Sequence, residues 1–286
     1  MTGHAHPVPR ADDLTLDWVI QRLSLLTGLA RESMRLDRLA SACRKALSSG
    51  VSVARFLRGV EVERPEVISP LLEAACVSET YFFRQPAHFD WLTSEFAPRW
   101  SLGDEPVLRV WSAGCATGEE AWSLAGALLG ALRSAPGRRV EVLATDLLDA
   151  SLEYARAGRY ELGAFRGEPS ARCTDVGLVR QGRFEVHEAL REIVRFERHN
   201  LLCAPPRGGF HLIFCRNVLV YFTRSAAQRA LENLTSALHA RDGVLVLGPT
   251  DVGATPSNVE GIGSPALCAF RCAPVPGGAQ EGGART

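Results

Sequence analysis

The sequence predicts an α/β fold in which a helical N-terminal region precedes a parallel sheet covered by helices on both faces. Three observations support this prediction. Residues 14–97 repeat apolar side chains at helical spacing. From about residue 107 to residue 271, short apolar strands alternate with helical stretches. A glycine-rich segment at 159–192 interrupts this alternation, and its two short strand patterns around Gln181 and Gly182 predict a small β-insertion.

The helical region carries a basic stripe beside one of its apolar faces. Apolar residues within 16–23 and within 36–47 recur every three or four positions, as on one face of a helix. The polar side of the second helix contains Arg35, Arg38, Arg44 and Lys45. This stripe is either a solvated helix face or a surface for an acidic partner.

Six short segments have the composition of strands buried on both faces, being rich in Val, Ile and Leu. They are 107–111, 140–145, 193–198, 211–215, 243–248 and 266–271. Helical patterns separate several of them, which is typical of a parallel sheet. In the last of these helices, Ser225 and Gln228 fit a capping box.

The composition excludes several classes of protein. Thirty-two basic residues balance thirty-two acidic ones, so we expect no nucleic-acid partner held by overall charge. No apolar run approaches about 18 residues and no export signal begins the chain, which predicts a cytoplasmic protein without membrane insertion. The eight cysteines form no C-x-x-C pair, so we expect reduced thiols and no metal site. Residues 274–286 are predicted to be a disordered tail.

The segment "VWSAGCATGEEAW" at 110–122 places a glycine turn between a strand and a helix. With only Gly114 and Gly118, the turn is a weak dinucleotide fingerprint. Two carboxylates at a helix N-terminus would repel a pyrophosphate and favour a ligand that is cationic there, such as S-adenosylmethionine. Thr117 and Glu120 also fit a capping box. We therefore interpret Glu120 as a helix cap and Glu119 as the ligand contact.

Polar residues follow three further strands. Asp146 ends the second strand, where an acidic side chain can bond ribose hydroxyls. Asn200 follows the third strand, and Arg216 and Asn217 follow the fourth. Because the carboxyl ends of parallel strands lie at one edge of the sheet, these loops are expected to contact adenine and substrate.

Five motifs occur in an order that resembles one known family. They are "ETYFFR" (79–84), "WSAGCATGEEAWS" (111–123), "ATD" (144–146), "NLL" (200–202) and "FCRNVLVYF" (214–222). The sequence is similar in this respect to the CheR-type methyltransferases, which esterify glutamate side chains of bacterial chemoreceptors with S-adenosylmethionine. The likeness extends from about residue 14 to residue 271.

The resemblance implies a helical N-terminal domain at 14–97 and a Rossmann-like S-adenosylmethionine-dependent methyltransferase domain at 98–273, with a β-subdomain at 159–192. It implies that Arg84 and Tyr221 serve methyl transfer, and that Phe82 and Phe83 between the site residues belong to the core. The cofactor-binding residues that it implies are Ser78, Thr80, Arg84, Gly114, Glu119, Asp146, Asn200, Leu201, Arg216 and Asn217.

Three positions depart from the family pattern. Ser78 stands where the family often has Asn, and Ala121-Trp122 stands where it commonly has Pro-Tyr. After the fifth strand, "GPTD" at 248–251 replaces a frequent Gly-His-Ser-Glu.

The resulting hypothesis is a monomeric methyltransferase that esterifies glutamates on the cytoplasmic methylation helices of a chemoreceptor, with S-adenosylhomocysteine as the second product. A glutamate carboxylate is ionised at neutral pH, so the reaction requires no strong general base. One alternative is a methyltransferase that acts on another protein or a small molecule. Another is a scaffold that binds S-adenosylmethionine without catalysis.

Overall fold

The N-terminal part of the chain is a group of four helices. The structure, a computed structural model, describes residues 11–166, 171–251, 253 and 259–272, so the predicted tail at 274–286 lies outside the described residues. The helices are α1 (Ala11–Thr27), α2 (Leu36–Ser48), α3 (Val53–Glu61) and α4 (Pro65–Ala75). Ser52 caps α3 by accepting the Arg55 N–H, and a proline begins α4, where its missing N–H costs nothing. Their apolar faces share one core that includes Val19, Leu39 and Leu71.

A bent helix joins this group to the sheet. It consists of α5 (Pro86–Trp91), a π-helical turn at Leu92–Phe96 and α6 (Ala97–Ser101). None of the helices in the described part of the chain has the length and apolar character needed to span a bilayer.

The sheet has seven strands, in the spatial order β6-β2-β1-β7-β8-β10-β9. The strands are β1 (Val107–Ala113), β2 (Arg139–Asp146), β6 (Val194–Arg198), β7 (Leu212–Cys215), β8 (Val244–Leu247), β9 (Val259–Ile262) and β10 (Ala269–Cys272). The first five of these are parallel, whereas β10 runs antiparallel to both of its neighbours. The α/β fold class, with its Rossmann-like sheet, is therefore confirmed.

Two details of the sheet differ from the sequence prediction. The last predicted strand, 266–271, begins only at Ala269, because residues Pro265–Leu267 form a 3-10 turn. The sequence analysis also missed β9. Strand β9 is an edge strand with no buried residue, so it lacks the apolar run typical of the central strands.

Helices cover both faces of the sheet. They are α7 (Glu119–Ala131), α8 (Asp149–Ala157), α9 (Glu188–Ile193) and α10 (Arg224–Ser236). Successive residues of β1 point to opposite faces: Val110 joins the core that contains Leu124 of α7, and Trp111 joins the core that contains Leu231 of α10.

The predicted capping box of α10 is wrong. The helix begins two residues earlier than the box requires, and the hydroxyl of Thr223 accepts the Ala226 N–H at 3.3 Å. Ser225 therefore lies inside the first turn, and Gln228 donates to Glu232 instead of to the chain before the helix.

The glycine-rich insertion is a three-stranded antiparallel sheet. Its strands are β3 (Arg159–Glu161), β4 (Gly177–Arg180) and β5 (Arg183–Val186), in the order β3-β5-β4. Gln181 and Gly182 both have positive φ, as a two-residue hairpin turn requires. The predicted hairpin is thus confirmed, whereas the exact domain boundaries stay a prediction.

Candidate active site

One pocket lies at the carboxyl ends of the parallel strands, where open α/β sheets bind their ligands. It encloses about 1050 Å³, part of which is open to solvent. Loops after β1, β2, β6 and β7 form its floor, and the segment 76–84 and the end of α1 close it. Its wall includes all but one of the residues that the sequence analysis singled out: Ser78, Thr80, Arg84, Gly114, Asp146, Asn200, Leu201, Arg216, Asn217 and Tyr221.

The two glycines of the turn are required by close contacts. Gly114 has φ +82°, and a Cβ there would lie 2.5 Å from the side chain of Val218. Gly118 has φ +94°, and its Cβ would lie 2.6 Å from that of Ala155. These positions need glycine because both the backbone conformation and the space exclude a side chain.

Asp146 is held at the floor of the pocket by backbone donors. Its Oδ2 accepts the Ala116 N–H at 2.8 Å, and its Oδ1 accepts the Leu148 N–H at 3.0 Å. Burial raises the pKa of this carboxyl group, while the backbone hydrogen bonds oppose that shift. A carboxylate held in this way keeps lone pairs free for ligand hydroxyl groups.

The two glutamates of the turn do not lie as the sequence suggested, and neither caps the helix. Glu120 is not a helix cap: its two oxygens accept from Ser112 Oγ at 2.7 Å and from Arg216 Nε at 2.8 Å, and it lines the pocket. Glu119 is the residue absent from the pocket wall. Its carboxylate is buried and accepts the Thr117 hydroxyl at 2.7 Å. Because α7 starts at Glu119, the next residue is turned by about 100° towards the pocket.

Arg216 is the most enclosed cation of the site, with a side chain that is 1% exposed. Besides Glu120, its Nη1 donates to the Arg84 carbonyl at 2.6 Å and to His88 Nδ1 at 3.0 Å. The rings of Phe89 and Phe214 lie 5.3 and 5.1 Å from its guanidinium carbon. Burial, followed by the charge of Arg216, lowers the pKa of His88 to about 4, so this ring is neutral and can accept.

The "TYFFR" motif is anchored from both sides. The N–H of Phe82 donates to the Ala164 carbonyl of the insertion, and the N–H of Phe83 donates to Ser123 Oγ of α7, both at 3.0 Å. Both rings are buried, as predicted. Phe83 and Gln85 have positive φ, which brackets Arg84 between two strained residues. The Arg84 Nη1 donates to the Glu79 carbonyl at 2.8 Å.

Two loops bring the remaining residues to the wall. Asn200 Nδ2 donates to the Leu26 carbonyl of α1 at 2.7 Å, so this side chain ties the N-terminal helices to the floor. Asn217 has φ +58°, and a 3-10 turn at Leu219–Tyr221 follows it. The Tyr221 carbonyl accepts the Ala30 N–H at 2.9 Å, which places the tyrosine at the junction of both halves.

The pocket fits a polar ligand with S-adenosylmethionine's functional groups. Three residues of its wall each contain a buried side-chain atom for which the described residues supply no hydrogen-bond partner: Arg216 Nη2, Asn217 Oδ1 and His199 Nε2. Such groups are costly unless a ligand or water pairs with them. A guanidinium suits a carboxylate, the Asp146 carboxylate suits hydroxyl groups, and Glu120 supplies negative charge beside them.

Sequence reasoning missed Glu120 as a wall residue and did not single out His88 or His199. Glu120 and Arg216 lie 96 positions apart in the sequence, so no local pattern could reveal that they pair. The sequence did mark Asp251, because this residue ends the "GPTD" that replaces a frequent family motif. In the structure, Asp251 is buried beneath the Asn217 turn.

At the opposite edge of the sheet, one further group of described residues has the composition of a metal site: Glu105, His211 and His239, with ligand atoms within 4.8 Å of one another. His211 Nδ1 accepts the Arg109 N–H at 3.1 Å. A neutral ring that accepts at Nδ1 carries its proton on Nε2. His211 therefore has no lone pair free for an ion in this arrangement.

Comparison with known proteins agrees with the geometry of the pocket. The family model described as "CheR methyltransferase, SAM binding domain" matches residues 78–261. A chemotaxis protein methyltransferase of Listeria monocytogenes is 33% identical over 242 residues, covering 84% of this chain and 89% of the relative. Chemotaxis protein methyltransferase 1 of Vibrio cholerae is 31% identical, covering 79% and 83%. The probable biofilm formation methyltransferase WspC of Pseudomonas aeruginosa is 35% identical, covering 72% and 50%. The chain therefore belongs to the CheR methyltransferase family and is an S-adenosylmethionine-dependent methyltransferase.

Proposed function

We propose that this enzyme methylates glutamate side chains on the cytoplasmic methylation helices of a chemoreceptor, giving glutamate methyl esters. The observation that carries the proposal is that two arginines, Arg84 and Arg216, line the same pocket as Tyr221. Cations there suit an acceptor and a cofactor that both carry carboxylates. The names of the relatives from Listeria monocytogenes and Vibrio cholerae support the same pathway.

In the mechanism that follows, the enzyme positions its substrate and does not activate it. Bound S-adenosylmethionine supplies a methyl group on a sulfonium. The acceptor carboxylate, with a pKa near about 4.3, is already ionised and nucleophilic at neutral pH. Arg84 pairs with this carboxylate or orders the wall around it, and Tyr221 orients it. Phe82 and Phe83 are buried in the core and fix the backbone that leads to Arg84.

The basic stripe on α2 supports an acidic helical partner. Arg38 and Lys45 are exposed and lie seven positions apart, which places them on one face of the helix. Arg44 is exposed beside them. Within the described part of the chain, no carboxylate lies within 4 Å of these three cations. They are therefore available to steer an acidic receptor segment towards the pocket.

We further propose that the enzyme acts as a monomer in the cytoplasm, as predicted from the sequence. Two experiments test methyl transfer and cofactor binding separately.

The experiment incubates the purified protein with methyl-labelled S-adenosylmethionine and the cytoplasmic fragment of a chemoreceptor. Label that alkali releases as methanol identifies a methyl ester, and a fragment whose acceptor glutamates are replaced by glutamine is the control. We expect alkali-labile label on the native fragment only. Equal label on the control fragment, or stable label, would reject glutamate esterification.

Calorimetric titration with S-adenosylhomocysteine, repeated on Asp146→Ala, separates binding from transfer. Micromolar binding that the substitution abolishes is the expected result, because the Asp146 carboxylate lies at the pocket floor. Tight binding without transfer to any receptor fragment would favour a scaffold or another substrate.

A further inference from the structure

The last residue of "GPTD", Asp251, is buried under the loop that follows β7. Asp251 is 3% exposed and does not line the pocket. Its Oδ2 accepts the N–H of Asn217 and, at 3.0 Å, the N–H of Gly248. Its Oδ1 accepts the Val220 N–H at 3.0 Å. One carboxylate thus accepts hydrogen bonds from two backbone N–H groups, those of Asn217 and Val220, in a turn that lies more than 30 positions earlier in the sequence.

The turn that Asp251 holds is the one that carries the pocket residues. Asn217 has φ +58°, a conformation that a non-glycine residue keeps only when its surroundings enforce it. Val220 lies next to Tyr221 in the 3-10 turn. Of the donors to Asp251, Asn217 is therefore a pocket residue and Val220 is the immediate neighbour of one.

Gly248 leaves the space that this arrangement needs. A Cβ at Gly248 would lie 2.6 Å from Asp251 Oδ2 and 2.9 Å from the Asn217 nitrogen. Any side chain at this position would push the carboxylate and the turn apart. The small residue and the acid at the two ends of "GPTD" therefore act together.

We propose that Asp251 is a positioning residue for methyl transfer, whose carboxylate holds the backbone of Asn217 and Val220 and so sets Asn217 and Tyr221 in the pocket wall. This inference rests on the proposed function for the role of Tyr221, and on the described contacts for the role of Asp251. Charge-assisted bonds from several N–H groups to one carboxylate are among the stronger bonds in proteins. Without them, three backbone N–H groups lose their acceptor and the left-handed Asn217 relaxes.

The test compares Asp251→Asn with Asp242→Asn, a control at the other end of β8 where the exposed acid pairs with His239. Asparagine keeps the shape of Asp251 but replaces one of its two acceptor oxygens with an NH₂ group, so at least one N–H of the turn faces a donor and the turn is pushed away from residue 251. We expect the Kd for S-adenosylhomocysteine to rise about tenfold and kcat to fall about tenfold in Asp251→Asn. Asp242→Asn is expected to match the unaltered enzyme in both quantities.

Hydrogen exchange of the Asn217 and Val220 amides provides a readout that does not require methyl transfer. We expect both amides to lose protection in Asp251→Asn, and in Gly248→Ala, which disturbs the same contacts from the other side. Protected amides together with unchanged Kd and kcat would overturn the proposal, as would a lower melting temperature with kcat and Kd unaffected. If Asp251→Asn does not fold, Asp251→Glu keeps the charge and must retain amide protection.

The proposed function and the proposed role of Asp251 can fail independently. If the unaltered enzyme esterifies no receptor glutamate, the proposed function fails, while amide exchange and S-adenosylhomocysteine binding still test Asp251.

Discussion

Arg216 is the residue on which most of the pocket geometry depends. Its guanidinium joins Glu120 of α7, the backbone of Arg84 and the ring of His88, so it connects the glycine turn with the "TYFFR" motif. The charge is acceptable in this buried position only because a carboxylate lies 2.8 Å away. Breaking a buried ion pair by removing one partner leaves an uncompensated charge, which is strongly destabilising.

The first prediction concerns the two adjacent glutamates. Glu120→Gln should lower the free energy of unfolding by about 3 kcal/mol, because Arg216 loses its counter-charge. Glu119→Gln is the matched control: burial already raises the pKa of Glu119, and glutamine can still accept the Thr117 hydroxyl, so we expect a change within about 1 kcal/mol. Urea unfolding of both variants measures the difference. Equal losses in the two variants would contradict this account of the pair.

The second prediction concerns the residues proposed for transfer. Arg84→Ala and Tyr221→Phe should both fold, because the described neighbours of each side chain include no buried acid that would be left unpaired. Both should lose most methyl transfer, since one removes the cation proposed to lie beside the acceptor and the other the hydroxyl proposed to orient it. Initial rates at saturating S-adenosylmethionine provide the measurement. Full turnover in either variant would remove that residue from the mechanism.

At the scale of the elements, the β-subdomain is joined to the site through Phe82. Its ring lies 4.9 Å from that of Tyr160, 4.8 Å from that of Phe165 and 5.0 Å from that of Phe184, all in the insertion. The "TYFFR" motif therefore takes part in the core of the small sheet while its arginine lines the pocket.

The third prediction follows from this shared core. Phe82→Leu and Phe165→Leu remove comparable ring contacts, so both should destabilise the protein by a similar amount, about 1–2 kcal/mol. Only Phe82 lies two residues before Arg84, so only Phe82→Leu should also lower kcat clearly. Thermal unfolding and methyl transfer assays on both variants measure the two effects. An equal loss of kcat in Phe165→Leu would show that the motif is not positioned through its own backbone.

At the scale of the whole molecule, buried histidines make stability depend on pH. Burial lowers the pKa values of His88, His199 and His211, and the charge of Arg216 lowers that of His88 further, to about 4. At these three histidines the unfolded chain then binds more protons than the folded chain between about pH 6.5 and pH 4. Their contribution to stability therefore rises with pH across this window and is lost as the pH falls through it.

The fourth prediction isolates the contribution of His88. A shift from 6.5 to about 4 corresponds to about 3 kcal/mol that disappears between these two pH values. His88→Asn retains an acceptor near the position of Nδ1 but does not titrate, so its unfolding free energy should fall less steeply below pH 6.5. Denaturant unfolding at half-unit pH steps measures both slopes. Parallel slopes would mean that His88 is not held neutral in the folded state.

Some features of the fold could be predicted because their cause is local. The strands buried on both faces appear as runs of Val, Ile and Leu, and the hairpin of the insertion appears at Gln181 and Gly182. The strand β9 could not be predicted in this way, since its pairing with β10 holds it in the sheet and its residues are not buried.

What the sequence by itself determined is the α/β fold, the carboxyl-end location of the pocket and ten of the residues of its wall, because strand periodicity and motif order are properties of consecutive residues. Only the tertiary structure decided which glutamate of the turn faces the pocket, and that Asp251 supports the Asn217 turn. The first depends on the direction in which α7 starts and on the pairing of Glu120 with Arg216, which lies 96 positions away. The second depends on the contact between Asp251 and Asn217, which lie 34 positions apart. Such contacts form only when the sheet brings distant loops to one edge, and no local pattern encodes them.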